Sequence, residues 1–290
     1  RGRAVGVTMI RQLRLTVLAD NSVAAPNLLA EHGLSILIEA DGRRILFDTG
    51  QGKVLSANAE SLGVGLSALD AVVLSHGHFD HSGGLASVPE GDGPAAVFLH
   101  PAALQSKYAT SDTPPHRAIG MPERSRQALD RFWKRIVWTQ GATEVAPGVW
   151  CTGEIPRLAP ADPRSTPVFF CDADCTKPDL IPDDQALFVE MQDGLVVIVG
   201  CAHSGVIDTL DRIGTLARQV DLLALIGGFH LGRASYKQLE ECGNAIGRRN
   251  CQFLAPCHCT GMSAHAYLRS RFHSLVQDVG VGTRLIIGHQ

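Results

Sequence analysis

The heptapeptide Ser75-His76-Gly77-His78-Phe79-Asp80-His81 places four side chains able to bind a divalent cation within six residues. Imidazole and carboxylate both suit a borderline metal; zinc is the first expectation, and iron or manganese accept the same donors. Four donors so close together are hard to aim at one ion. Alternate residues can serve two, with His76 and His78 on the first and Asp80 and His81 on the second. A chance cluster of surface histidines is not expected to follow directly on an apolar strand, AVVLS, and to lead into Gly83-Gly84. A divalent cation with an open position lowers the pKa of bound water to about 7, which makes hydrolysis the default chemistry. Asp80 is then the group expected to orient that water or take its proton.

Two ions need further donors, and His203, His230 and His258 each end a run rich in Val, Ile and Leu. The stretches that must carry them read as strands. SILIEADGRRILFDTG is apolar on both sides of Asp41-Gly42, a dipeptide suited to a two-residue hairpin turn, and Asp48 lies just past its second strand. ALFVEMQDGLVVIVG repeats the pattern around Asp193-Gly194, with Cys201 and His203 just past its end. LLALIGGFHLG and CQFLAPCHCTG are two more apolar runs ending in glycine or cysteine beside a histidine.

Helical periodicity falls between the strands. Val206, Ile207, Leu210, Ile213, Ala217 and Val220 predict a helix over 206–220, and Ser263 is a candidate N-cap for a helix carrying Tyr267, Leu268, Phe272, Leu275 and Val276. Weaker helical patterns cover 53–62 and 234–248, and 123–136 carries the charges of a surface helix. From about 101 to 183 the pattern thins and prolines punctuate it, including Pro114-Pro115, Pro156, Pro160, Pro163, Pro167 and Pro178. That stretch is read as one long irregular insertion, a lid or substrate loop. Hairpins alternating with single helices imply a layered α/β domain with mixed sheets and helices outside.

The whole chain of 290 residues, 45% hydrophobic and 19% charged with a formal net charge of −3, can bury one large core and offers no electrostatic case for nucleic acid. Residues 1–8 are read as a tag or flexible extension and 9–290 as a single domain. No apolar run reaches the roughly 18–20 residues that span a bilayer, and the start lacks a secretory signal, so a cytoplasmic protein acting on a small molecule is expected, with a homo-oligomer possible. The eight cysteines are too sparse for a disulfide framework and are expected to be reduced.

ILFDTG followed by VVLSHGHFDHSGG resembles the metallo-β-lactamase superfamily, whose HxHxDH motif follows a strand. AEHGLSILIE, DDQAL, GCAHSG, GGFHL and PCHCTG are together similar to a subfamily that includes dihydropterin ribofuranosyl-aminobenzene phosphate synthases. The resemblance spans about residues 13–290. It implies an αββα four-layer sandwich, two mixed β-sheets with outer helices, and one or two metal ions at an edge between the sheets. It further implies that Asp48 supports the site from behind a ligand and that His258 is the last ligand of the second ion. Superfamily members place a further histidine in a loop before the second hairpin; this chain departs from that pattern, and His203, two residues past Cys201, is read as completing the first site. Cys201 stands where superfamily members carry a bridging aspartate, and it either lines the cleft or contributes a thiolate.

His230 is read as a substrate contact, a supporting group or a satisfied structural histidine. Glu31 and His32 are read as acid, base or substrate contacts, or as a loop-stabilising pair. Asp183-Asp184 reads as a solvated turn, or as a pair of which one approaches the metals, and Cys257 and Cys259 read as packing residues. Three functions follow: a metal-dependent hydrolase of an ester, lactone, amide or phosphoester; a transferase joining an activated dihydropterin to an aromatic amine bearing a ribose phosphate; and a non-catalytic small-molecule sensor.

Overall fold

Two tight hairpins set the frame of the computed structural model, which describes residues 9–89, 95–157 and 168–288. Residues 1–8, read above as an extension, lie outside the described residues, as do Pro160, Pro163 and Pro167. Asp41 and Gly42 hold φ of 44° and 87° and turn Ser35–Ala40 back onto Arg43–Phe47, as a two-residue turn with positive φ at both positions requires. In the second hairpin Met191 pairs with Gly194, so the turn residues are Gln192 and Asp193, one position earlier than expected. Gly194 is already in the strand, where a Cβ would lie 2.8 Å from the Asp221 carbonyl oxygen.

The first sheet has seven strands in the spatial order Arg284–Gly288, Gln12–Ala19, Ser35–Ala40, Arg43–Phe47, Ala71–Val73, Ala96–Leu99 and Ile136–Trp138. Its first four pair antiparallel and the rest parallel. The second has six, in the order Leu254–Cys257, Leu222–Gly228, Gly194–Val199, Ala186–Met191, Val149–Cys151 and Thr143–Ala146, parallel at one side and antiparallel at the other.

Alternation along the strands divides the apolar residues among three layers. Ile36, Ile38, Ile45 and Phe47 meet Leu187, Val189, Val196 and Ile198 between the sheets. Leu37, Leu46 and Val72 point the other way, onto Leu55 and Ala59 and onto Ala128, Leu129 and Phe132. On the far side Phe188, Val197 and Leu225 receive Val206, Leu210, Ile213, Cys242, Ile246 and Leu268. Strands buried on both faces explain why the sequence runs apolar through them. The architecture is an αββα sandwich.

The helices differ from the sequence pattern at their ends. Val206–Leu216 stops before Val220, which is 56% exposed and off the packed stripe. Met262–Phe272 begins after Gly261, whose φ of 81° makes the corner, so Ser263 is inside the helix and not its cap. Leu55–Ser61 and Tyr236–Gly247 are shorter than the patterns over 53–62 and 234–248, and the latter opens on a capping box of Ser235 and Gln238. Glu123–Phe132 gives way to a 3-10 turn and then a strand.

The largest departure is the 101–183 stretch. Ile136–Trp138 completes the first sheet, and Thr143–Ala146 and Val149–Cys151 complete the second. Among the described residues of this stretch, only Tyr108–Ala109, Arg117–Ala118 and Phe169–Phe170 form a separate three-stranded cover over the strand ends. Strands of two to four residues are too short to show a period. Among the described residues no helix is long and apolar enough to cross a membrane.

Candidate metal centre

Six strands release their carboxyl ends at one edge, and the residues just past them make the site. Gln12–Ala19 leads to Asp20 and Asn21, Arg43–Phe47 to Asp48, and Ala71–Val73 to the 75–81 loop. From the second sheet Gly194–Val199 leads to Cys201 and His203, Leu222–Gly228 to His230, and Leu254–Cys257 to His258. The two sheets meet at Gly200, where a Cβ would lie 2.1 Å from Ser75 Oγ and 3.0 Å from Asp48 Oδ2. Only glycine allows that approach.

Two groups of donors result. His76 Nε2 lies 2.9 Å from His78 Nδ1 and 3.2 Å from His203 Nε2. Beside them His81 Nε2 lies 3.2 Å from His258 Nε2, and Asp80 Oδ2 lies 3.8 Å from His81 Nε2 and 3.6 Å from His258 Nε2. Cys201 Sγ stands between the groups, 3.1 Å from His81 Nε2 and within 4.8 Å of the His76 and His203 donors.

On three of these rings the nitrogen on the far side is engaged in a way that fixes the tautomer. His81 Nδ1–H donates to Asp48 Oδ2 at 2.7 Å, and His258 Nδ1–H donates to Asn21 Oδ1 at 2.9 Å. His76 Nδ1 lies 2.9 Å from Ser75 Oγ, whose hydroxyl donates to Asp48 Oδ2 at 2.7 Å, so the ring donates to the hydroxyl. When the three rings are neutral, each inward Nε2 is thereby left with a lone pair. Lone pairs facing one another at about 3 Å repel unless a cation lies between them, and tetrahedral bonds of 2.0–2.1 Å would set such donors about 3.3 Å apart. The residues present fit a divalent cation.

Electrostatics agree with that fit for the first group, and in the second they leave a proton for a cation to displace. Burial pushes His76 and His203 well below the ordinary imidazole value and His78 down to about 3, so all three are neutral donors near pH 7. Burial alone would raise Asp80, but His81, His258 and His32 around it outweigh that and hold the carboxyl well below its usual range. Burial would lower His81, but Asp48 and Asp80 overcome it and drive the ring up to about 9, so a cation taken at its Nε2 displaces a proton. Burial pushes the Cys201 thiol well up, so it supplies a thiolate only with a cation beside it.

The centre opens into a cleft of about 570 Å³ walled by Phe79, Phe169, His230 and the exposed Arg117 and Arg233. The Phe169 ring lies 5.1 Å from His78 and 5.2 Å from His203 between centroids, so the cover packs directly on the imidazoles. His32 reaches the cleft, its Nε2 3.2 Å from Asp80 Oδ2, and hydrogen bonding to that carboxylate raises its pKa. His230 also faces the cleft, 4.4 Å from the His203 ring.

Three expectations need correction. Glu31 does not line the cleft: its carboxylate accepts from the backbone N–H groups of Gln51, Gly52 and Lys53 and staples that loop. Asp183 and Asp184 are fully buried instead of solvated. Cys259 is not a packing residue, because the chain turns into a 3-10 helix at His258 and the strand alternation that buries Cys257 ends there; Cys259 faces the cleft.

Sequence reasoning also missed Asn21, Ser75 and Lys107. Lys107 is completely buried, 2.7 Å from Asp183 and 2.9 Å from Asp179, and these carboxylates overcome burial to raise its pKa. It ties the cover to the 76–78 loop through Asp183, which accepts from Gly77 N–H. An isolated lysine among prolines gives no sequence signal for this.

Comparison with known proteins adds an independent line. The metallo-β-lactamase superfamily profile matches residues 29–207. A 7,8-dihydropterin-6-methyl-4-(β-D-ribofuranosyl)-aminobenzene-5'-phosphate synthase of Methanocaldococcus jannaschii is 26% identical over 253 residues, covering 84% of this chain and 85% of its own. An uncharacterized protein of the same organism is 30% identical over 253 residues, covering 86% and 91%. A crystal structure of a metal-dependent hydrolase of the β-lactamase superfamily superposes with a TM-score of 0.79 at 28% identity, covering 96% of this chain and 100% of that one.

Proposed function

Since the chain belongs to the metallo-β-lactamase superfamily, we propose that it is a divalent-metal-dependent hydrolase acting on a small ester, lactone, amide or phosphoester. The observation that carries this reading is the set of inward Nε2 atoms on His76, His81 and His258, whose opposite nitrogens are committed to Ser75, Asp48 and Asn21. Donors held from behind in this way are set in place for a cation.

In this reading His76, His78 and His203 hold one cation, Asp80, His81 and His258 hold a second, and Cys201 takes the place between them. Zinc suits this set best, since thiolate and imidazole are soft donors. When bound, a divalent cation supplies Lewis acidity and brings the pKa of water in contact with it to about 7. Asp80 stays ionised near neutrality, faces the cleft, and accepts the proton that the attacking water gives up. His32, hydrogen-bonded to Asp80, orients that carboxylate and carries a proton toward the leaving group. Phe79 and Phe169 wall the cleft and limit access of bulk water.

A second reading is transfer to an aromatic amine bearing a ribose phosphate, as the name of the 26%-identical synthase describes. Arg117 and Arg233 favour it, because two guanidinium groups at the rim of a cleft suit an anionic substrate. Metal analysis combined with a substrate panel separates the two: turnover of generic esters or phosphodiesters supports hydrolysis, and formation of a pterin adduct without hydrolysis supports transfer.

A further inference from the structure

A third group of donors lies beside the two already described. Cys201 Sγ, Cys259 Sγ and a ring nitrogen of His230 fall within 4.8 Å of one another. All three line the cleft. His230 and His258 hold left-handed φ of 49° and 50°, backbone that a residue with a Cβ disfavours. Such strain is kept where the surrounding fold fixes it, and here it turns both rings into the cleft. At the end of Leu222–Gly228, Gly228 leaves room for sulfur: a Cβ there would lie 2.7 Å from Cys259 Sγ.

We propose that Cys201, His230 and Cys259 form a further cation position, rich in thiolate and open to the cleft, that takes a thiophilic cation such as zinc, cadmium or copper(I). Two thiolates and one imidazole select such cations over manganese and magnesium, which prefer oxygen donors. The fourth place in a tetrahedral set faces the cleft, where water or a substrate atom can occupy it. Binding displaces whatever protons the two sulfurs hold and changes no oxidation state. The position shares Cys201 with the proposed hydrolytic centre and otherwise stands apart from it.

Cadmium binding to the full, reduced protein tests this through the sulfur-to-cadmium charge-transfer absorbance. The wild type should saturate with the intensity of two thiolates. Cys259→Ser should show about half that intensity, one thiolate remaining of two, and His230→Ala should keep the intensity and weaken the binding about tenfold. Excess manganese should leave the signal in place. Equal intensity in Cys259→Ser and wild type, with both variants showing native circular dichroism, overturns the proposal. A protein inactive in every hydrolysis assay that still shows the Cys259-dependent absorbance would sink the hydrolase reading alone.

Discussion

Asp183 and Asp184 are adjacent in the chain, yet each grips a different ligand-bearing loop. Asp183 Oδ2 accepts from Gly77 N–H at 2.7 Å, between His76 and His78, while Asp184 Oδ2 accepts from Ser204 N–H at 2.7 Å, beside His203. The pair therefore sets the spacing of the three imidazoles of the first group from behind. Asp183 also holds Lys107 of the cover, so one buried dipeptide links both sheets' loops and the wall of the cleft.

Asp183→Asn keeps an acceptor for Gly77 N–H but removes one of the two charges that neutralise Lys107. The variant should lose about 3 kcal/mol of stability, as expected for breaking a buried ion pair, with a weaker charge partner left in Asp179. Its zinc affinity should fall about 10- to 100-fold, the usual cost of losing a group that orients a ligand. Urea denaturation and competition with a chromophoric chelator measure the two effects, and unchanged zinc affinity would remove the positioning role.

Asp184 gives a pH signature. Burial raises its pKa from 3.8 to about 6, so between those values the folded chain holds a proton that the unfolded chain has released. Stability contributed by this group is full below the unfolded value, falls as pH rises toward about 6 and is flat above it. Comparing the unfolding free energy of wild type and Asp184→Asn across that window should show the wild type losing ground by roughly 2–3 kcal/mol. A difference that does not vary with pH would place the titration elsewhere.

Gly200→Ala inserts a methyl group 2.1 Å from Ser75 Oγ. The sheets must part or Ser75 must release Asp48, either of which disturbs His76 and His81. Destabilisation of about 1–3 kcal/mol is expected from overpacking, together with reduced metal content. Native metal content in this variant would show that the contact between the sheets does not set the site.

Arg117→Gln and Arg233→Gln test whether the rim of the cleft receives an anionic substrate. If the arginines receive a phosphate, each variant should raise KM for a phosphorylated substrate about tenfold or more, the worth of a charge-assisted hydrogen bond, and leave KM for a neutral ester within a factor of about 2. Equal effects on both substrates would argue that they only shape the cleft.

The parts of the site that were legible in the sequence were those carried by local pattern. His76, His78, Asp80 and His81 announce themselves by spacing, and His203 and His258 by their place after apolar runs. Asp41-Gly42 named its turn because positive φ at two successive positions has few solutions. What stayed hidden depends on contacts remote in sequence. Asn21 meets His258 across 237 positions, and Lys107 meets Asp183 across 76. Asp183-Asp184 reads as a solvated turn because nothing local shows that a lysine and two peptide N–H groups converge on it. Cys259 was misread for a different reason: alternation is a reliable guide only while the strand continues, and it ends at Cys257.

Turnover before and after exhaustive chelation, with the metal content of the same samples measured alongside, tests the central claim most directly. The wild type should carry at least one tightly bound divalent cation per chain, lose its activity when that cation is removed, and regain it on addition of zinc or manganese. Undiminished activity in protein shown to contain no metal would contradict the account.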